Sequence, residues 1–144
     1  QKAQRIGQFE QWLVASPAYL QRQPPPKQPG DLADHAFVSF SLLPSPLLWT
    51  FQKGAQVLQQ LMKSRFSVSS SAAVSALVLQ GVGLGVLTHY SAMPLVEKGK
   101  LVRLLSDWQL QSGGIYLVYP PGDHRPAKVR LFVEFLRQRL GNQA

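Results

Sequence analysis

Three consecutive serines, Ser69 to Ser71, are the residues of this sequence best suited to bind a ligand. They follow a polar–apolar alternation over Arg65–Ser69, which predicts a half-buried strand. The almost wholly apolar segment Ala72–Gln80 comes next and predicts a buried helix. Free N–H groups and hydroxyls at a helix N-terminus can bind a carboxylate or another anion. The same serines can instead cap the helix, Ser70 or Ser71 above all, and the local sequence alone favours capping.

A glycine-rich segment follows the predicted helix. The spacing Gly81-x-Gly83-x-Gly85 is similar to that of a phosphate-binding loop. It comes after a helix and before a strand, however, which is the reverse of the order that a dinucleotide fingerprint requires. We therefore predict that Gly81 is a left-handed helix C-cap, and that Gly83 and Gly85 allow close approach of the backbone. A short apolar strand then ends at Leu87 or Thr88.

The other reactive residue types predict neither catalysis nor a metal or cofactor site. His35, His89 and His124 are far apart in the sequence, and we interpret each as a surface or loop residue. The seven Asp and Glu residues form no evident acid–base pair. Cysteine is absent, which excludes disulfides, thiolate catalysis and cysteine-ligated metals. We therefore predict a protein that is not an enzyme.

Short strands and helices alternate around the serine and glycine segments, which predicts an α/β fold. The further predicted strands are Gln8–Ser16, Ala36–Ser41, Trp49–Phe51, Val57–Met62, Leu101–Leu105 and Ile115–Tyr119. Gly54 predicts a hairpin turn between the third and fourth of these strands. Two further helices are predicted, Pro94–Lys98, with Pro94 in its first turn, and Pro126–Leu140.

Composition indicates a soluble globular domain. The 144 residues are 45% hydrophobic and 15% charged, and no apolar run is long enough to span a membrane. The formal net charge of +8 is dispersed along the chain without a run of like charges. We therefore predict a solvated basic surface that binds duplex DNA weakly and without sequence preference. Because Gln1 is not a start methionine, we expect the natural chain to extend upstream.

Short motifs over nearly the whole chain occur in a specific order. They are Trp12–Leu20, Pro29-x-Asp31-Leu32-Ala33-x-His35, Val68-x-Ser70, Gly81-x-Gly83-Leu84-Gly85-Val86, Gly99-x-Leu101-Val102-x-x-Leu105, Asp107-Trp108, Tyr116–Pro120, and Lys128-Val129-Arg130-x-Phe132-Val133-x-Phe135-Leu136. In this order they closely resemble the regulatory domain of LysR-type transcriptional regulators.

This resemblance implies an α/β fold similar to type 2 periplasmic binding proteins, in which two lobes are joined by two crossing strands. By the resemblance, residues 1–16 are the end of the first lobe and the first crossing strand, with Gln8–Ser16 as that strand. Residues 17–114 are the complete second lobe. Residues 115–144 are the second crossing strand, Ile115–Tyr119, and the C-terminal helix of the first lobe. The DNA-binding winged helix-turn-helix and most of the first lobe are absent from this sequence.

The resemblance also implies a function, that of a domain of a cytoplasmic regulator that senses a small anionic effector held between the lobes. It places Ser69, Ser70 and Ser71 against the effector, with Phe40 and Ser41 as weaker candidates. We expect Ser69 to bind the effector and Ser71 to cap the helix, while Ser70 can do either. DNA would be bound through the absent N-terminal domain, and no membrane partner or cofactor is implied.

Two other functions remain open at this point. The first is a solute-binding or enzymatic protein of the same two-lobed architecture, and the second is direct nucleic-acid binding through the basic surface. The terminal helix also predicts an apolar stripe of Val129, Phe132, Val133, Leu136 and Leu140. Because the first lobe is incomplete, this stripe lacks its expected cover, so we expect the chain to self-associate as a homo-oligomer.

Overall fold

The computed structural model describes residues 2–119 and 127–141, and the chain divides into two compact units. The larger unit is Gln11–Gln111, and the smaller unit combines Gln1–Glu10 with Ser112–Ala144. In chain order the elements are β1 (Lys2–Phe9), β2 (Gln11–Ala15), α1 (Pro17–Arg22), a 3-10 helix (Pro29–Asp34), β3 (Ala36–Phe40), β4 (Leu48–Lys53), β5 (Gln56–Leu61), β6 (Lys63–Val68), α2 (Ser71–Leu79), β7 (Gly85–Thr88), α3 (His89–Glu97), β8 (Val102–Leu104), β9 (Gly113–Tyr119) and α4 (Ala127–Gly141).

In the larger unit, strand β2 lies between β7 and β8 and is antiparallel to both. Strands β3 and β6 pair in parallel, and a bridge between Phe37 and Leu84 connects β3 to the segment that enters β7. Strands β4 and β5 form the predicted hairpin, with Gly54 at φ +60 in its turn. Parallel and antiparallel pairs alternating with helices confirm the predicted α/β fold.

Two apolar clusters cover the two faces of β2. Successive side chains of a strand point to opposite faces, so Leu13 packs with Phe37 in one cluster and Val14 packs with Val74 and Val78 in the other. Burial on both faces explains why this strand is a continuous apolar run rather than an alternating one. The second cluster fixes α2, whose Val74 and Val78 are almost fully buried.

The structure corrects two predicted elements of the larger unit. The predicted strand over Gln8–Ser16 is two strands, β1 and β2, separated at Glu10. The predicted helix at Pro94 begins five residues earlier, at His89, because the Thr88 hydroxyl accepts from the Ser91 N–H and caps it. Pro94 therefore lies inside α3, whereas its fixed φ had suggested the first turn.

In the smaller unit, β1 and β9 pair antiparallel and α4 packs on β1. Val133 of α4 and Ile6 of β1 are both buried. Phe132 of the predicted stripe is 57% exposed, as expected for a stripe without its cover, and Leu131 and Phe135 are exposed too. The buried Val133 departs from that expectation. The side chains of Val129 and Leu140, and the predicted helix start at Pro126, lie outside the described residues.

Within residues 2–119 and 127–141, none of the helices has both the length and the apolar character that a membrane span requires.

Candidate functional site

Two loops of the larger unit meet at one edge of the parallel β3–β6 pair. Phe40 and Val68 are register partners, and the N–H of Ser41 donates to the Val68 carbonyl at 2.8 Å. Because the carboxyl ends of parallel strands lie at the same edge, the residues that follow β3 and β6 are neighbours. The structure therefore brings the predicted residues Phe40 and Ser41 to the same edge as Ser69, Ser70 and Ser71. We call these five residues the serine edge.

Ser70 is the N-cap of α2. Its backbone is extended, and its Oγ accepts a hydrogen bond from the Ala73 N–H at 3.2 Å. Ser71 is the first helical residue, so the expectation that Ser71 caps the helix is wrong. A residue with helical φ and ψ cannot direct its hydroxyl back onto the N–H groups of its own first turn as an extended residue does.

The Ser69 hydroxyl is exposed and makes no hydrogen bond to another described residue. The N–H groups of Ser71 and Ala72 belong to the first turn of α2, where helix N–H groups have no intrahelical acceptor. This turn contains neither an acidic nor a basic side chain. The helix dipole adds partial positive charge here, so the serine edge can accept a carboxylate or another anion through hydroxyl and N–H donors.

Two glycines allow close packing around β7, Gly85 against α2 and Gly83 against β3. A Cβ at Gly85 would lie 2.5 Å from Val78 Cγ2 and 3.2 Å from Val74 Cγ1. A Cβ at Gly83 would lie 2.7 Å from the Ala36 carbonyl oxygen. These contacts confirm the predicted close approach, and φ +80 at Gly81 confirms the predicted helix C-cap.

Sequence reasoning missed two polar residues at this edge, Thr88 and Gln11. The bridge between Phe37 and Leu84 makes β7 run in the same direction as β3, so β7 ends at the same edge, with Thr88. Gln11 is the register partner of Thr88 on the antiparallel strand β2. No local pattern marks either residue, because the edge arises only from pairing between distant strands.

The serine edge is an open surface of the larger unit. Its three serines and Ser41 are exposed, and only Phe40 is partly buried. A nearby depression has a volume of about 360 Å³. It is lined by residues that come after β3 in the sequence, such as Leu43 and Trp49, and by Gln111. Its lining contains none of the five predicted residues. Gln11 closes one side of it, since its Nε2 donates to the Gln111 carbonyl at 2.9 Å.

Comparison with known families gives one match over almost the whole chain. Residues 2–141 match the family described as "LysR substrate binding domain". The chain belongs to this family. The resemblance that the ordered motifs of the sequence indicate is thereby confirmed.

The relatives of this LysR domain are named as transcription regulators. The chain is 38% identical over 141 residues to the HTH-type transcriptional regulator PtxR of Pseudomonas aeruginosa, covering 98% of this chain and 45% of the relative. It is 31% identical over 134 residues to the HTH-type transcriptional activator TtdR of Escherichia coli K12, covering 90% of this chain and 43% of that protein. The chain thus spans less than half the length of these relatives.

Solved structures of LysR-type regulators share the fold. The regulatory domain of CrgA from Neisseria meningitidis superposes with a TM-score of 0.84 at 26% identity, covering 97% of this chain and 69% of that one. Full-length AphB, a virulence activator of Vibrio cholerae, superposes with a TM-score of 0.79 at 30% identity, covering 99% of this chain and 48% of that one. The predicted fold, that of the LysR regulatory domain, is thereby confirmed.

The prediction that each histidine is a surface or loop residue is wrong for His89, which lies in α3, whereas His35 does lie in a loop. His35 and His89 are both buried, and His124 lies outside the described residues. His35 Nδ1 is 2.8 Å from the Tyr19 hydroxyl, and burial lowers the pKa of His35 below its usual 6.5. His35 follows the 3-10 helix and packs against Tyr19 of α1, and His89 begins α3 beside the Trp12 ring. These contacts join residues far apart in the sequence, so the spacing of the histidines gives no sign of them. The described residues contain no group of His, Asp or Glu side chains arranged to hold a metal.

Proposed function

We propose that this chain senses a small anionic effector for a cytoplasmic LysR-type transcriptional regulator. Ser69, with the N–H groups at the start of α2, supplies the hydrogen bonds, and Phe40 and Ser41 complete the contact surface. Ser70 orders the loop by capping the helix, which leaves the Ser69 hydroxyl for the ligand. The relatives' names, which are those of transcription regulators rather than enzymes, support a sensing role.

The parallel register of β3 and β6 is the observation that carries this proposal. Phe40 pairs with Val68, and the Ser41 N–H bonds to the Val68 carbonyl, so two loops distant in sequence converge at a helix N-terminus. Ligands of open α/β sheets bind outside the carboxyl ends of the strands. The unused Ser69 hydroxyl and the uncharged first turn of α2 favour an anion over a cation.

The partners of the whole protein are part of the proposal. DNA is bound by an N-terminal helix-turn-helix, as the names of the relatives suggest for those proteins. The regulator acts as a homo-oligomer, and the exposed Leu131, Phe132 and Phe135 of α4 supply an apolar surface for packing within it. Residues 17–114 act as the second lobe. The crossing segments are 8–16, where β1 ends and β2 follows, and 115–119 within β9.

The serine edge is tested with Ser69→Ala in the full natural protein. A defined set of small carboxylates and phosphate esters is screened by thermal shift, and the tightest binder becomes the probe. Ser69→Ala should weaken binding roughly 10- to 100-fold in calorimetry, since a hydrogen bond to a charged group contributes about 1.5–3 kcal/mol. Its unfolding midpoint without ligand should stay unchanged.

Ser106→Ala is the matched control, because Ser106 is also an exposed loop serine of the larger unit. It should bind the probe as the wild type does. If Ser69→Ala and Ser106→Ala bind the probe equally well, the serine edge is only a helix cap and the proposed site is wrong.

A further inference from the structure

The larger unit has a second concave site at the opposite end of the β3–β6 pair. This depression of about 490 Å³ lies where β3 and β6 begin, at Ala36 and Lys63, and where α2 ends, at Gln80. The serine edge lies at the carboxyl ends of the same strands. We call this depression the basic pocket, because Arg22, Lys63 and Arg65 line it.

A β-bulge places Arg65 in the lining. Phe37 pairs with Ser64 and Val38 with Phe66, so Arg65 is an additional residue without a partner in the ladder. Bulges are rare in parallel pairs and commonly re-aim a side chain beside a functional site. The buried hydroxyl of Ser39 donates to the Phe66 carbonyl at 3.2 Å and so holds the chain directly after the bulge.

Arg22, which also lines the pocket, is held in place by three contacts. Its guanidinium donates to the carbonyls of Gly81 and Ala18 and lies over the Tyr19 ring, 5.9 Å from the centroid. The Gly81 carbonyl belongs to the C-terminal end of α2, which carries partial negative charge. The Arg22 guanidinium therefore offsets the partial negative charge of this helix end, which would otherwise weaken the binding of an anion.

The remaining charges favour an anion. Lys63 and Arg65 are exposed and form no ion pair within residues 2–119 and 127–141. Among the described residues that line the pocket, Asp34 is the one carboxylate, against three cations, which gives a formal excess of two positive charges. Tyr19 and Phe66 add aromatic surface beside these charges.

We propose that the basic pocket is a second ligand site, which binds a small dianion of the phosphate or dicarboxylate class. The excess of two charges matches a dianion, and the volume admits a small molecule. Lys63 and Arg65 contact its oxygens, and Arg22 adds a third positive charge to the lining. This site is separate from the serine edge and does not depend on the function proposed for it.

The test uses Lys63→Gln/Arg65→Gln in the full natural protein, with inorganic phosphate and succinate as probes at constant ionic strength. Both side chains are exposed, so the variant should fold with an unchanged unfolding midpoint. We expect the wild type to bind at least one probe with saturation, and the variant to bind it at least tenfold more weakly by calorimetry. The probe that binds more tightly distinguishes phosphate chemistry from carboxylate chemistry.

Lys98→Gln/Lys100→Gln is the matched control. It also removes two exposed positive charges from the larger unit, at residues that do not line the pocket. It should keep the wild-type affinity within about twofold, and Ser69→Ala should keep it too. Equal losses in both double variants would mean that only diffuse charge attracts the probe. That result, or the failure of both probes to bind the wild type, would overturn the proposal.

Discussion

The two ends of the β3–β6 pair offer anions two different environments. At the carboxyl end, the serine edge presents hydroxyls and helix N–H groups on an open surface without formal charge. At the amino end, the basic pocket presents guanidinium and ammonium groups in a depression, next to a helix C-terminus that Arg22 covers. Neutral donors select a ligand by geometry, whereas formal charges attract many anions and are screened by salt. The first environment therefore suits recognition of one effector, and the second suits a class of dianions.

The largest effect on both ends should come from a substitution that disturbs β3, the strand that they share. Gly83→Ala would place a Cβ 2.7 Å from the Ala36 carbonyl oxygen, which is backbone and cannot rotate away. Overpacking of this kind costs roughly 1–3 kcal/mol, and contact with backbone favours the upper end of that range. We expect a lower free energy of unfolding by denaturant titration, and weaker binding at both ends.

Gly30→Ala is the matched control for this prediction. Gly30 has no atom within 4 Å of the Cβ position and is absent from the glycines with positive φ. The free energy of unfolding of the Gly30→Ala variant should differ from that of the wild type by less than about 0.5 kcal/mol, as for most surface substitutions. A Gly83→Ala variant as stable as Gly30→Ala would show that β3 can shift at no cost.

An intermediate loss of stability, confined to the serine edge, is expected when the N-cap of α2 is removed. Ser70→Ala removes the acceptor of the Ala73 N–H and should lower the unfolding free energy by about 1 kcal/mol. Ser71→Ala should leave the stability almost unchanged, because Ser71 is already helical. Chemical denaturation without ligand compares the unfolding free energies of the two variants and so shows which serine caps α2. Equal stability of the two would contradict the assignment of the cap.

Local chemistry made part of the fold predictable. The hairpin was indicated by Gly54, and the end of α2 by Gly81, because a positive φ there is a property of one residue. The predicted start of α3 is wrong because Thr88 caps the helix at His89, whereas Pro94 favours a start five residues later. In each of these cases the deciding interaction lies within a few residues.

The two sites depend on contacts that no local pattern contains. The serine edge was found from a run of serines and a family resemblance, but Gln11 and Thr88 join it only through strand pairing. The basic pocket gathers residues from α1, β3, β6 and the end of α2. A dispersed net charge of +8 indicated only a solvated surface, since the bulge at Arg65 cannot be seen in the sequence.

The smallest expected effect is a pH dependence of the unfolding free energy that originates beside the basic pocket. His35 is buried against the Tyr19 hydroxyl beside the basic pocket, whereas the serine edge contains no titratable side chain. Burial lowers the pKa of His35 below 6.5, and Asp31 and Asp34 partly oppose this shift. Because the unfolded chain then binds a proton that the folded chain does not, the stabilisation is complete above pH 6.5 and is lost as the pH falls below it. We expect the free energy of unfolding to fall between pH 7.5 and pH 5.5, and to fall less steeply in His35→Gln, which cannot titrate there. Parallel slopes for the wild type and His35→Gln would assign the pH dependence to other groups.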